Sequence, residues 1–163
     1  MLVGSLLFAL GCLSGLFVGF LGAKTNRTLS ALEDLASMPS TPLMADIAVD
    51  YPASTTLAKP FDLVVTLSDT GVTSHQLFTL DLNDAICDNF EVVSITPEPS
   101  ETQREYGWHE YTYNTTLAPN SQLVFTLTLQ PKHEGVFEGS VDAYFDDWDS
   151  LSAPVSIRVT PPN

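Results

Sequence analysis

The chain reads as an all-β protein, one antiparallel sandwich preceded by a single apolar helix long enough to span a membrane. Three observations predict this. No charged side chain occurs from Leu2 to Ala23, and the first is Lys24. From Ala45 onward apolar residues recur with a period of two, the spacing that sends alternate side chains to opposite faces of a strand. The alternating runs are short, follow one another every ten to fifteen residues and are cut by proline- and glycine-bearing turns, the pattern of a sandwich.

The apolar stretch comes first. Residues 1–23 are expected to form a transmembrane helix, because twenty-two residues from Leu2 at about 1.5 Å each rise roughly 33 Å, against a hydrocarbon core of about 30 Å. Gly4, Gly11, Gly15 and Gly22 recur at spacings of seven, four and seven, with Gly19 close by. On a helix these positions share a face, and the missing Cβ atoms let another backbone approach in the membrane. The five glycines are therefore the candidate helix-packing residues, and the partners they imply are lipid and other membrane protein subunits. The start, Met-Leu-Val-Gly, lacks the basic region of a secretion signal, and the run is longer than a usual signal core. Leu21-Gly22-Ala23 nevertheless fits a small-residue cleavage site. The expectation is an uncleaved, single-pass anchor.

Residues 24–44 read as a linker. Thr28 or Ser30 can cap a short helix through Ala31, Leu32, Leu35 and Ala36, with Glu33 and Asp34 near its positive end. Pro39 and Pro42 end it.

The β-domain occupies 45–163. Strands are expected at Asp46–Tyr51, Phe61–Leu67, His75–Leu82, Phe90–Thr96, Trp108–Asn114, Leu123–Leu129, Val136–Phe145 and Pro154–Val159, eight in all, with turns at Ser68–Gly71, Pro97–Pro99, Leu117–Asn120 and His133–Gly135. Leu123, Phe125, Leu127 and Leu129 alternate strictly with Val124 and two threonines, so Phe125 and Leu127 are expected in the core. In His75–Leu82, Phe78, Leu80 and Leu82 share one face and Leu77, Thr79 and Asp81 the other. In Trp108–Asn114, the faces are His109, Tyr111 and Tyr113 against Trp108, Glu110 and Thr112.

Charge narrows the function. The net charge is −14, and from Ala45 onward eighteen carboxylates face only Lys59, Arg104, Lys132 and Arg158. Such a surface repels nucleic acid and anionic headgroups, so no nucleic-acid partner is expected, and a basic protein surface suits it. Cys12 and Cys87 cannot pair across the membrane boundary, which leaves the domain without a disulfide. The sequence has no nucleophile motif, no zinc spacing and no phosphate-binding glycine loop, so the expectation is a non-catalytic protein without cofactor or metal.

The run from Leu117 to Tyr144 resembles the last hairpin of bacterial immunoglobulin-like adhesion and surface modules: a proline turn, an alternating strand, a Pro-Lys-His-Glu-Gly turn and a Gly-x-Val-x strand. Leu63–Gly71 resembles their second strand and its Asp-Thr-Gly corner. The resemblance covers residues 45–160. It implies a single immunoglobulin-like antiparallel β-sandwich with a binding or spacer role and no shared catalytic residues.

One constellation stands out in the domain. Asp142, Phe145, Asp146, Asp147, Trp148 and Asp149 crowd the end of one strand and the loop after it, acids interleaved with aromatics, which suits docking of a basic partner. The spacing fits no EF-hand loop. Together these features predict an accessory subunit that anchors to and braces a larger membrane complex, of the kind found in photosynthetic and respiratory assemblies. A pilin-like filament or surface-layer subunit and a free-standing membrane-tethered adhesion module are the alternatives. For the side of the membrane two signals disagree. Lys24 and Arg27 just after the anchor favour a cytoplasmic domain, whereas exported sandwiches of this type favour the extracytoplasmic face, which is the expectation.

Overall fold

A computed structural model describes residues 43–146 and 149–162. The stretch 1–23 with its five glycines, nearly all of the linker 24–44, Asp147 and Trp148 lie outside the described residues. Among the described residues no helix is long and apolar enough to cross a membrane.

Among the described residues the domain has ten strands and one α-helical turn: β1 (Ala45–Asp50), β2 (Ser54–Thr56), β3 (Phe61–Asp69), β4 (His75–Asn83), α1 (Asp84–Cys87), β5 (Phe90–Thr96), β6 (Glu101–Glu105), β7 (Trp108–Leu117), β8 (Gln122–Pro131), β9 (Gly135–Phe145) and β10 (Ser150–Thr160). They form two facing sheets, one ordered β1-β3-β8-β5 and the other β2-β10-β9-β4-β7-β6. All eight expected strands are present. Two more were not anticipated, β2 and β6, and β2 departs from the antiparallel rule by running parallel to the end of β10, Ser54 opposite Arg158.

The core lies between the sheets and follows from strand parity. Leu63, Val65 and Leu67 of β3 and Phe125, Leu127 and Leu129 of β8 are at most 1% exposed and meet Leu80, Leu82, Val141, Phe145 and Ile157 of the other sheet. In β7 it is the Tyr111 face that turns inward. Edge-to-face rings lock the layers, with Phe90 5.8 Å from Phe61 and 5.4 Å from Phe137. Pro154 is tolerated inside β10 because β2 reaches only Arg158 to Thr160, leaving that edge of the strand unpaired at the proline.

Between β4 and β5 the chain makes one helical turn. Asn83 caps it, its side chain accepting from the Ala85 amide at 2.8 Å, and Asp84 sits in the first turn. Ile86 and Cys87 point inward and close that end of the core. The β6–β7 connection is a two-residue hairpin turn, Tyr106-Gly107, with φ of 47° and 93°. Positive φ at both positions makes a turn whose twist matches that of the paired strands, and the glycine bears it without strain.

A β-bulge interrupts β4 between Leu77 and Thr79, and it appears in the pairing with both neighbours. Strict alternation would put Phe78 in the core with Leu80 and Leu82. The extra residue instead leaves Leu77 fully buried and Phe78 43% exposed, on the outer face of the six-stranded sheet.

Candidate docking face on the six-stranded sheet

The outer face of the six-stranded sheet carries a lateral row of polar side chains in register across five strands: Ser152 of β10, Asp142 of β9, Asp81 of β4, Glu110 of β7 and Gln103 of β6. Three carboxylates thus stand side by side at the centre. Neighbouring strands lie about 4.8 Å apart, and like charges directly opposite one another destabilise a sheet. Among the described residues none of the three has an ion-pair partner; the bridges there involve Arg104 and the histidines.

Their environments differ. Glu110 accepts a hydrogen bond from the Gln103 amide at 2.7 Å. Asp81, in the middle strand, is only 8% exposed, and its Oδ1 has no hydrogen-bond partner; nor has the buried Oδ1 of Asp142. Burial pushes the Asp81 carboxyl up to about 6, the Thr79 hydrogen bond opposes this, and the Glu110 and Asp142 charges add to the rise. Tyr144, two residues beyond Asp142 on the same face, has its phenol raised by burial and then by Asp142 and Asp81. Phe78, Thr79, Asp81, Glu110, Tyr144 and Phe145 line a groove of about 320 Å³.

The acidic–aromatic constellation expected around the end of β9 is divided by the fold. Asp142 belongs to the row just described. Phe145 does not: three residues from Asp142 along a strand, it has the opposite parity, is 1% exposed and packs edge-on to His75 with ring centroids 6.4 Å apart, while also bordering the groove. Asp146 stands beyond the strand end, 3.8 Å from His75 Nδ1. Asp149 follows in the turn, its carbonyl accepting from the Phe145 amide at 2.8 Å. Asp147 and Trp148 are outside the described residues. Sequence reasoning missed Asp81, Glu110 and Phe78 as partners of Asp142, since only the sheet order brings them together; Tyr144, two residues on in the same strand, was within reach of strand parity.

Two other polar clusters pair partly among their own members, with Asp84 Oδ1, His109 Nε2 and Asp69 Oδ2 left without a hydrogen-bond partner. Arg104 Nη2 donates to Asp84 at 2.8 Å and to Asp88 at 3.0 Å, beside His109. Burial and then the Arg104 charge hold the His109 imidazole below its usual range. Asp84, Asp88 and His109 bring three potential metal-ligand atoms within 4.8 Å of one another, and the Arg104 guanidinium already supplies the positive charge there. His75 lies between Asp69, 3.9 Å away, and Asp146, with Asp69 also accepting from the Gly71 amide; this links the β3–β4 turn to the end of β9. A cleft of about 680 Å³ opens between β5 and β7, floored by Phe90, Tyr111 and Cys87 and flanked by Lys132, whose Nζ donates to the Cys87 carbonyl at 2.9 Å.

The topology and the core make the domain a two-sheet β-sandwich, similar at the level of the fold to immunoglobulin-like modules. No protein-family model matches the chain, and no curated relative matches it by sequence. Solved structures of similar shape include a cohesin module of a family 33 glycoside hydrolase from Clostridium perfringens, at 9% identity and a TM-score of 0.48, covering 74% of this chain and 100% of that one. A CARDB domain from Pyrococcus furiosus is similar as a solution structure, at 14% identity and a TM-score of 0.43, covering 71% and 94%. The crystal form of that domain, in complex with di-metal ions, gives 14% identity and 0.44 over 74% and 98%.

Proposed function

We propose that the chain is a non-catalytic accessory subunit of a larger membrane protein assembly, tethered by residues 1–23 and docked through the acidic outer face of its six-stranded sheet onto a basic protein surface. One observation carries this reading. Three adjacent carboxylates, Asp142, Asp81 and Glu110, stand in register on one face without an ion-pair partner among the described residues. An isolated domain gains nothing from that arrangement, because like charges across a sheet repel and burying the middle one adds a desolvation cost. Against a basic surface the same row steers the encounter and is neutralised on contact.

Within this reading the glycines from Gly4 to Gly22 pack the anchor against neighbouring helices, and the domain stands on the extracytoplasmic side. The test is solubilisation of native membranes in mild detergent, then capture of the full chain and native sizing at low and high salt. A subunit co-purifies with other membrane proteins, and Asp142→Asn together with Glu110→Gln loosens the association. Self-assembly alone would indicate a filament or surface-layer protein, and a monomer at all salt concentrations a free-standing adhesion module. Either result refutes the subunit reading. Protease added to the outside of sealed cells should cut the domain.

A further inference from the structure

The groove over Asp81 is more specific than an acidic surface. Its central carboxylate is more than nine-tenths buried, lines the groove and has an oxygen without a hydrogen-bond partner. Its walls are aromatic, Phe78 and Tyr144, and Phe78 is there because the β4 bulge turns it out of the core. Glu110 stands on the opposite wall with one oxygen engaged by Gln103. A negative floor between aromatic walls is a receptor for a cation.

Which cation follows from geometry. Asp142 and Glu110 are separated by two strand spacings, roughly 10 Å, whereas Ca²⁺ needs its oxygens at about 2.3–2.6 Å. The three carboxylates do not converge: among the described residues the one set of metal-ligating atoms drawn within 4.8 Å is Asp84, Asp88 and His109, elsewhere. A guanidinium is planar, presents donors in a fork that reaches two carboxylates at once and stacks on aromatic rings. Its alkyl stem also fills a groove of about 320 Å³ better than a bare ion does.

We propose that this groove is the receptor for a single arginine side chain of the partner protein, its guanidinium paired with Asp81 and Glu110 and its stem against Phe78 and Tyr144. The proposal rests on the docking function above and deepens it by naming the group recognised. Asp142 adds to the negative field beside Asp81.

A capped Gly-Arg-Gly peptide, titrated at low salt into the detergent-solubilised full chain, tests this with amide shifts of β4 and β9 as the readout. The expected result is saturable, millimolar binding that shifts Thr79, Asp81 and Tyr144. The matching Gly-Lys-Gly peptide should bind more weakly, and Asp81→Asn should lose about tenfold in affinity. Phe78→Leu should weaken binding without altering the fold. Asp62→Asn, on the outer face of the other sheet, should leave it unchanged. The proposal is overturned if neither peptide shifts these residues, if lysine binds as well as arginine, if Asp81→Asn binds like the parent, or if Ca²⁺ alone saturates the same shifts. The titration needs no natural partner, so its outcome is independent of co-purification. A chain that keeps its assembly while failing to bind the peptide loses this proposal and retains the docking function.

Discussion

The most informative single change is Asp81→Asn, because it should stabilise the domain. Asp81 is 8% exposed and its carboxyl is raised from 3.8 to about 6, burial being the largest cause and the Glu110 and Asp142 charges adding to it. The folded state therefore holds a proton that the unfolded chain has released over that interval. Stability falls as pH climbs from below the unfolded value through the folded one, and the penalty is complete above it. At about 1.4 kcal/mol per unit, a rise from 3.8 to about 6 amounts to about 3 kcal/mol. Asparagine keeps the shape, carries no charge and can donate to Asp142, whose Oδ1 has no partner. In the detergent-solubilised full chain, unfolding of the sandwich followed by near-ultraviolet circular dichroism should show the variant more stable by up to about 3 kcal/mol at pH 8. The advantage should shrink as the pH drops from 6 towards 4, where the parent is protonated as well. Other carboxylates are common to both proteins, so the difference isolates Asp81. A variant less stable than the parent at pH 8, or a difference that ignores pH, would refute the uncompensated charge on which the docking argument depends.

Three further predictions probe the rest of the domain. Phe125→Ala or Leu127→Ala removes a side chain 1% exposed and should cost about 2–5 kcal/mol, with Phe125 also losing its ring contact to Tyr113 at 4.6 Å; unchanged thermal unfolding would dismiss the core assignment of β8. Gly139→Ala places a Cβ 2.8 Å from Ile86 Cγ1 and 3.3 Å from Asn83 Cβ, so α1 must move and about 1–3 kcal/mol should be lost in the same melt. Cys87 is 5% exposed with its thiol pushed up to about 12, chiefly by burial, so it should resist an aromatic disulfide reagent at pH 8 until denaturant unfolds the sandwich; rapid reaction of the folded chain would show that the β5–β7 cleft admits reagents to its floor.

The parts legible in the sequence were those written in hydrophobic alternation. All eight expected strands exist because each has a face to bury, and the strict Leu123–Leu129 pattern identifies its core residues directly. The two missed strands lack that signal. Every residue of β6 is exposed, so Glu101–Glu105 carries no pattern, and its hairpin turn is Tyr-Gly rather than a more familiar Asn-Gly. β2 is three residues long and pairs with a strand a hundred positions away. The fold divides the docking constellation for a reason that was visible: Asp142 and Phe145 differ in strand parity, and Val141, Ala143 and Phe145 already marked the apolar face. The bulge in β4 could not be read, because nothing in His-Gln-Leu-Phe-Thr-Leu-Asp-Leu says which residue is the extra one. The glycine stripe of the anchor lies outside the described residues.

The two outer faces of the sandwich support docking on one side rather than on both. On the four-stranded sheet, Val64, Thr66 and Ser68 face Thr126, Val124 and Gln122, a mosaic of β-branched and neutral polar side chains. Its polar pairs are satisfied internally: Thr128 donates to Asp62 at 2.8 Å and Gln122 to Ser68 at 3.1 Å. Pairs of this kind stabilise a sheet in isolation and offer a partner little to replace. The outer face of the six-stranded sheet carries orphaned oxygens on Asp81 and Asp142 with an exposed Phe78 beside them, while the other unpartnered buried atoms among the described residues, on Asp69, Asp84 and His109, belong to the histidine and Arg104 clusters. An irregularity in the central strand creates that contrast, since without the bulge Phe78 would return to the core face and Asp81 would lose an aromatic wall. The residue that breaks the alternation of β4 is thus the one that gives the acidic row a shaped groove, and deleting Phe78 itself, which restores regular alternation from Leu77 through Thr79 to Leu80, should remove the arginine site while leaving the other sheet unchanged.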